Sequence, residues 1–377
     1  MARWRYWTEH ALTGQQLHPA LPLTGVEFSR ELNGPGAFTG TLAPRFAAAH
    51  PGVLTPGQAL LYVEADGLLR WGGIVWQAEP EGDQYRIEAA GWSSYLHRRH
   101  DLHGNLDGRG PYVYTDPCQI IRDIWAYAQE QPDGNLGVAV DGTVSTAKVG
   151  TPAEPWATYW YETPVLGELV DDLVGEGDTP DYLDWCGYQA GGTVARRLRL
   201  GYPRLGTRRT DISFRSGVNI VAATPVTYSA DEYANTVIAT GSGEGTARRF
   251  AVDSVRDGHL RLEQVLALPD VNGTDVLGRR ARAERTRRQV MGAVASVQVR
   301  HHPNAPLGSW QIGDDVLVQA RSDWGVWSGW SRIVADTIRP GGEDGEDHIT
   351  LDLARADSFH YGTPEGWQVW PGGTITP

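Results

Sequence analysis

Cysteine is nearly missing from this chain: Cys118 and Cys186 are the only two in 377 residues. Two cysteines cannot staple a protein of this size, and no CxxC pair occurs, so a disulfide scaffold and a zinc ribbon are excluded. Lysine is scarcer still, with Lys148 the only one among 33 Lys and Arg residues. That bias runs through the whole chain and reads as coding from a GC-rich genome, without site information. No apolar run approaches the ~18 residues that span a bilayer. Met1 to His10 lacks the apolar centre of a signal peptide, so folding in a cytoplasm and no membrane insertion are expected. Basic charge is also short: 33 Lys and Arg face 46 Asp and Glu, a formal net charge of -13. A protein built to grip phosphates would be basic, which argues against a dedicated nucleic-acid-binding role.

What is present points to β-structure. Glycine (46) and proline (23) exceed ordinary usage without reaching low complexity, as many tight turns between short strands require. Fifteen Trp and fifteen Tyr stand against six Phe. Large aromatics with a polar handle suit sheet faces and subunit interfaces. The length predicts two to four domains.

The first hundred residues read as strands and turns. Val26 to Leu42 is split by Asn33-Gly34-Pro35-Gly36, and Leu60–Val63, Asp66-Gly67 and Leu68–Trp76 form a hairpin pattern. Gly72-Gly73 inside a strand predicts a bulge or a close backbone approach. Tyr85 to Ala89 alternates with period two, and Gly91 to Leu96 closes the unit. After His103 a Gly- and Asp-rich linker leads to Asp116-Pro117, an N-cap and first-turn pair. Ile120, Ile121, Ile124, Trp125 and Ala128 then recur at helical spacing. A second helix is expected from Pro164 to Val174, with Leu166, Leu169, Val170 and Leu173 on one face. Tyr182–Tyr188 and Val194–Leu200 read as strands around Gly191-Gly192. Strand character resumes at Asp211–Phe214 and Ala222–Thr240, a helix is expected at Thr274–Met291, and strands at Ala293–Arg300, Val316–Ala320 and Ile349–Leu353. Residues 362–377 read as extended.

No constellation has the spacing of a catalytic or metal site. His97, His100 and His103 stand three apart with Arg98 and Arg99 between them, a pattern that would not converge on a cation. Asp171, Asp172, Glu176, Asp178, Asp181 and Asp184 cluster in sequence, yet a glycosidase needs two carboxyls facing one cleft, and a solvated face is the plainer reading. Glu343 to Asp347 reads as a hairpin tip. Gly241-Ser242-Gly243-Glu244-Gly245 lacks the lysine of a phosphate loop and reads as a strand-ending turn. Arg279, Arg280, Arg282, Arg285, Arg287 and Arg288 form the one dense basic patch. With Val276, Leu277, Ala281 and Val290 left to pack, it reads as a helix whose arginines pair with the acids of a neighbour, such as those at Asp171 to Asp184.

Several plain motifs, in order, carry a resemblance. They are Val26-Glu27-Phe28 leading to Leu32-Asn33-Gly34-Pro35-Gly36-Ala37-Phe38; Leu69-Arg70-Trp71-Gly72-Gly73-Ile74-Val75; Ala89-Ala90-Gly91-Trp92 with Tyr95-Leu96 and Arg98-Arg99; Gly217-Val218-Asn219-Ile220; Asp231; Ala234-Asn235-Thr236-Val237-Ile238-Ala239-Thr240-Gly241-Ser242-Gly243; and Ile312-Gly313-Asp314-Asp315-Val316-Leu317-Val318. In that order, over residues 20–355, the chain resembles the minor tail proteins of siphophages of actinobacteria, which in turn resemble the baseplate hub protein of contractile phages. The resemblance implies a mainly β fold with an α+β insert: tail-tube-like β-barrel or sandwich domains at 1–110 and 211–360, the latter with the helix 274–291, an inserted α+β domain at 111–210, and an extended tail at 361–377. Two departures are noted. The chain is expected to lack the long C-terminal extension of many siphophage hubs, and the stretch to Pro22, with Trp4, Tyr6 and Trp7, has no place in the family pattern.

The resemblance further implies a structural role without enzymatic activity and without catalytic residues, cofactor or metal. Gly72, Gly73 and Gly91 would then serve backbone geometry, and Asp231 and Asn235 folding. A homotrimer is implied, three copies of two tube-like domains meeting a sixfold tube above and a threefold tip below. Its implied partners are the distal tail protein ring, the tape measure protein and other minor tail, tip or fibre proteins. Phage DNA would pass through an acidic lumen unbound. The implied location is the virion tail tip, after assembly in the host cytoplasm. The alternatives are a receptor- or carbohydrate-binding tip protein, using Trp324, Trp327 and Trp330, and a cell-wall glycosidase using the acidic cluster.

Overall fold

Ala59 to Val63 is an unbroken apolar run, the pattern of a strand covered on both faces. The computed structural model describes residues 2–175, 179–222, 230, 233–269, 271–288, 294–322, 325–341 and 345–356, and it buries all five residues of that run. Expectations at Glu176, Asp178, Asp231, Val290, Trp324, Glu343, Asp344 and residues 361–377 fall outside the described residues.

The N-terminal unit consists of β1 (Trp4–His10), β2 (Gln16–His18), β3 (Thr24–Glu31), β4 (Ala37–Leu42), the short helix α1 (Pro44–Ala49), β5 (Ala59–Ala65), β6 (Leu68–Glu81) and β7 (Gln84–Ala90). Asp66 and Gly67, both at positive φ, turn β5 into β6 as their sequence requires. The stretch before Pro22, unplaced by the resemblance, is a sheet edge: β1 pairs with β5 along its whole length, and β2 lies outside it. Gly72 and Gly73 mark a close approach and not a bulge. The irregularities of β6 lie at its pairings beside Val63 and Val75, whereas a Cβ at Gly72 would press on Trp92, Tyr62 and Cys186, and one at Gly73 on the Ala90 carbonyl.

The insert holds α2 (Pro117–Glu130), β8 (Val138–Val140), α3 (Leu166–Asp171), β9 (Asp181–Tyr188) and β10 (Val194–Gly201). The Asp116 carboxylate accepts from the Cys118 N–H at 2.9 Å, a cap that contributes about 1 kcal/mol. All five apolar residues expected on the inner face of α2 are buried. Helix α3 is shorter than expected. Val165 at its N-terminus offers no side-chain cap, and Gly167 is required because a Cβ there would overlap the His97 ring. Leu166, Val170 and Leu173 are buried; Leu169 only packs at the margin.

The C-terminal part contains β11 (Arg208–Arg215), β12 (Thr236–Thr240), β13 (Phe250–Ser254), β14 (Glu263–Ala267), α4 (Thr274–Arg288), β15 (Ser296–Val299), β16 (Asp315–Ser322), β17 (Gly325–Arg339) and β18 (His348–Arg355). The fifteen-residue β17 is the main element that the sequence did not announce. It organises the fold. β17 pairs with β16 and β18, and through Phe28↔Ile338 to Glu31↔Ala335 it also pairs with β3. The first and last thirds of the chain thereby form one twelve-stranded sheet, in the order β11-β16-β17-β3-β4-β7-β6-β5-β1-β2, with β18 and β15 branching from β17. Two small sheets, β8-β10-β9 and β13-β12-β14, stand apart from it.

The alternation of β5 divides the interior. Leu61 and Val63 face a core shared with Phe28, Phe38, Phe214, Trp310 and Ile338. Leu60 and Tyr62 face a second core with Trp92, Ile121, Trp125 and Leu198, which fixes the insert against the N-terminal strands. A third, small cluster joins Val237 and Ala239 of β12 to Leu277 and Ala281 of α4.

Candidate functional site

The residue clusters weighed for chemistry disperse on folding. The His97 ring lies 3.6 Å from Asp171, His100 Nδ1 lies 2.8 Å from the Thr163 carbonyl, and His103 Nδ1 lies 2.9 Å from the Tyr127 hydroxyl. Among the described residues no three metal-ligating side chains converge. Burial pushes both thiols up to about 12, so neither Cys118 nor Cys186 offers a thiolate. Gly241 to Gly245 ends β12 as a turn. Of the expected aromatic platform, Trp327 is buried and Trp330 packs its ring under the Arg208 guanidinium, 4.8 Å away, so these two cannot stack on a sugar.

The acidic cluster is not one solvated face. Asp171 and Asp172 are exposed, but Asp181 and Asp184 face inward from β9. Asp181 is the joint between the insert and the large sheet. It accepts from Arg332 Nη2 at 2.5 Å, from the Leu205 N–H at 2.8 Å and from Asn33 Nδ2 at 3.0 Å. Asn33 also exchanges hydrogen bonds with the Tyr182 backbone. Two further ion pairs repeat this pattern: Arg30–Asp336 across β3 and β17, and Arg196–Glu9 between β10 and β1. Four of the six arginines of α4 find acids within their own chain, where the sequence suggests the acids of a neighbour, such as those at Asp171 to Asp184. Arg285 and Arg282 lie 2.5 and 3.6 Å from Asp253 on β13, and Arg279 and Arg288 pair with Asp275 and Glu284. The cause is the register of β13, which turns Asp253 toward the helix. Asn235 serves folding as expected: it is buried, donates to the Leu260 carbonyl and accepts from the Leu262 N–H.

Among the described residues, Asp184 is the one carboxyl held far from its ordinary state. Burial pushes it up to about 7, against hydrogen bonds from the Ser93 N–H and hydroxyl at 2.9 and 2.8 Å. Its Oδ1 is buried without a hydrogen-bond partner among the described residues. A carboxyl raised in the folded state favours folding most when neutral, so stability should be lost as pH rises from about 4, the unfolded value, through about 7. Asp184→Asn should remove that slope and gain roughly 2 kcal/mol at pH 8. Urea titrations of both proteins at pH 5 and pH 8 check this; a variant no more stable at pH 8 than at pH 5, relative to the native chain, contradicts it.

Nothing in the sequence marks the strained turn beside the insert. Gly104, Asn105, Leu106, Asp107 and Gly108 all have positive φ, from 49° to 80°. For non-glycine residues this costs on the order of 1 kcal/mol each and persists only where the surroundings dictate it. Here they do. The fully buried Asp101 accepts from the N–H groups of His103, Gly104 and Leu106 and from the Thr158 hydroxyl. Burial alone would raise its carboxyl, yet these bonds outweigh it and hold the group below its ordinary value. The linker expected after His103 is therefore an ordered turn with Leu106 buried. It supports Tyr159, Trp160 and Tyr161, three consecutive exposed aromatics in which Tyr159 and Tyr161 stack with centroids 5.4 Å apart. An aromatic run without polar alternation reads in sequence as core. Its exposure makes it a candidate contact surface.

No protein-family model matches the sequence, and no curated protein matches it. Solved structures do. The 43 kDa tail protein of prophage MuSo2 from Shewanella oneidensis superposes over 94% of this chain and 99% of its own, at 14% identity and a TM-score of 0.58. The tail protein from Neisseria meningitidis MC58 covers 93% and 97%, at 14% identity and a TM-score of 0.56. A prophage tail protein from Listeria monocytogenes EGD-e covers 92% and 94%, at 12% identity and a TM-score of 0.57. At such identities the likeness is one of fold. The chain has the fold of phage tail proteins, mainly β with an α+β insert, as its ordered motifs implied.

Proposed function

We propose that this chain is the structural hub of a phage tail tip. In this reading three copies form a ring, residues 1–110 and 211–360 of each supply two tube-like units, and the ring matches a sixfold tail tube and distal tail ring to a threefold tip. Residues 111–210 form the insert, packed outside those units. The observation that carries the reading is the end-to-end likeness to tail proteins, which spans both the joined sheet and the insert rather than one domain. The pairing of β3 with β17 supports it, since it makes the first and last thirds of the chain neighbours in one sheet. The net charge of -13 suits a channel wall that lets DNA slide, and four of the six α4 arginines are engaged by acids of the same chain. Partners would be the distal tail ring, the tape measure protein and other tip or fibre proteins, in the virion. The role is structural, as the likeness to tail proteins suggests. A second reading, a receptor- or carbohydrate-binding tip protein, is favoured only by the exposed Tyr159 to Tyr161. The copy number of the chain in purified tails tests the proposal: three per tail is expected, and six or none contradicts it.

A further inference from the structure

The sheet β13-β12-β14 has one face covered and one bare. Val237 and Ala239 of β12 turn toward α4, where Leu277 and Ala281 are fully buried. On the opposite face Val252, Ile238 and Val265 stand in register across the three strands, and Phe250 and Ala267 flank Thr240 one pair further along. Phe250 is 59% exposed, Val265 57% and Val252 37%. Strand β14 runs parallel to β12, and parallel pairs are ordinarily buried on both faces. The covered side is also thin: among the described residues its cluster has five buried members, Ala234, Val237, Ala239, Leu277 and Ala281. So small a core leaves a unit short of stabilising burial unless its second face is covered too.

Charge indicates what covers it. Residues 234–288 contain ten arginines and seven acidic residues, a net +3 in a chain of -13, which leaves -16 on the rest. Arg279, Arg282, Arg285 and Arg288 of α4 are paired, but Arg248, Arg249 and Arg256, which flank β13 and are exposed, have no carboxylate within ion-pair distance among the described residues. A basic unit with a bare apolar row complements the acidic remainder of an identical molecule. Such a contact joins unlike surfaces of two copies, and repeated head to tail it closes into a ring. DNA suits the face poorly, because a row of Ile, Val and Phe offers nothing to phosphates.

We infer that the outer face of β13-β12-β14, with Arg248, Arg249 and Arg256 at its rim, docks onto the acidic surface of a second copy of this chain. The inference rests on the trimeric reading and names the surface that closes it. Sedimentation velocity of the full chain over a concentration series tests it, for the native chain, V252S/V265S and R248E/R249E. The native chain should self-associate, and each variant should raise the dissociation constant at least tenfold. R248E/R249E alters only exposed side chains, so its thermal unfolding should match the native chain and separate lost docking from lost folding. Self-association unchanged in R248E/R249E overturns the inference and leaves the tail-hub reading standing; that reading fails instead if the chain is missing from assembled tails. A native chain monomeric at every concentration also overturns it. So does destabilisation of a monomer by V252S/V265S, which would mean that the chain covers the face itself, for instance with residues 357–377. Salt-sensitive binding of a DNA duplex that R248E/R249E abolishes would overturn it as well.

Discussion

Asp181→Ala should lower the stability of the protein by about 3–5 kcal/mol, the loss expected when one partner of a buried ion pair is removed and the other stays buried. Asp181 is 3% exposed, and its carboxylate satisfies Arg332, the Leu205 N–H and the Asn33 amide together. Three segments far apart in sequence thus depend on one side chain: the turn after β3, the connection after β10, and β17. Its loss should loosen the insert from the large sheet before either unfolds. Urea denaturation followed by tryptophan fluorescence gives the free energy, and hydrogen exchange shows whether β9 and β10 open first. Asp181→Asn keeps the shape and two of the three contacts, so it should cost less. A loss under 1 kcal/mol for Asp181→Ala would mean that the joint is held by packing alone.

Trp92→Ala should cost about 3–5 kcal/mol through the cavity it leaves. The Trp92 side chain is fully buried, lies 6.0 Å from the Tyr62 ring between centroids, and donates its indole N–H to the Trp185 carbonyl at 3.3 Å. It fills the space that Gly72 leaves open, so it presses the N-terminal strands against β9. Trp92→Phe should recover part of the loss, because it refills volume without the hydrogen bond. Equilibrium denaturation of the two variants checks the order; equal losses would assign the effect to the indole N–H instead of to packing.

What the sequence disclosed was local. The α2 helix follows from Asp116-Pro117 and its apolar spacing, the β5–β6 hairpin from Asp66-Gly67, and β9 and β10 from two strand patterns around Gly191-Gly192. In each case the forces act within a few residues, so the pattern survives reading in one dimension. The ordered motifs of the hub-like resemblance supplied the fold class. What stayed hidden depends on partners far along the chain. Asp101 stabilises its left-handed turn with help from Thr158, 57 residues away, and Asn33 meets Asp181 across 148. Strand β17 was missed because its first half turns Trp327, Gly329 and Ser331 inward and Val326, Ser328 and Trp330 outward, so neither face is uniformly apolar and the stretch reads as turn-rich. The bare face of β12 to β14 was missed for the same kind of reason. An alternating strand reports two faces, but not which of them finds a neighbour.

The central claim is that one chain supplies two tube-like units to a threefold ring, and the rotational symmetry of this chain in assembled tails tests it most directly. Averaged images of tail tips, with the chain located by a label at its exposed β6–β7 turn, should show three labels around the axis and a pseudo-sixfold inner wall. Six labels around the axis, or one chain capping the axis alone, would contradict it.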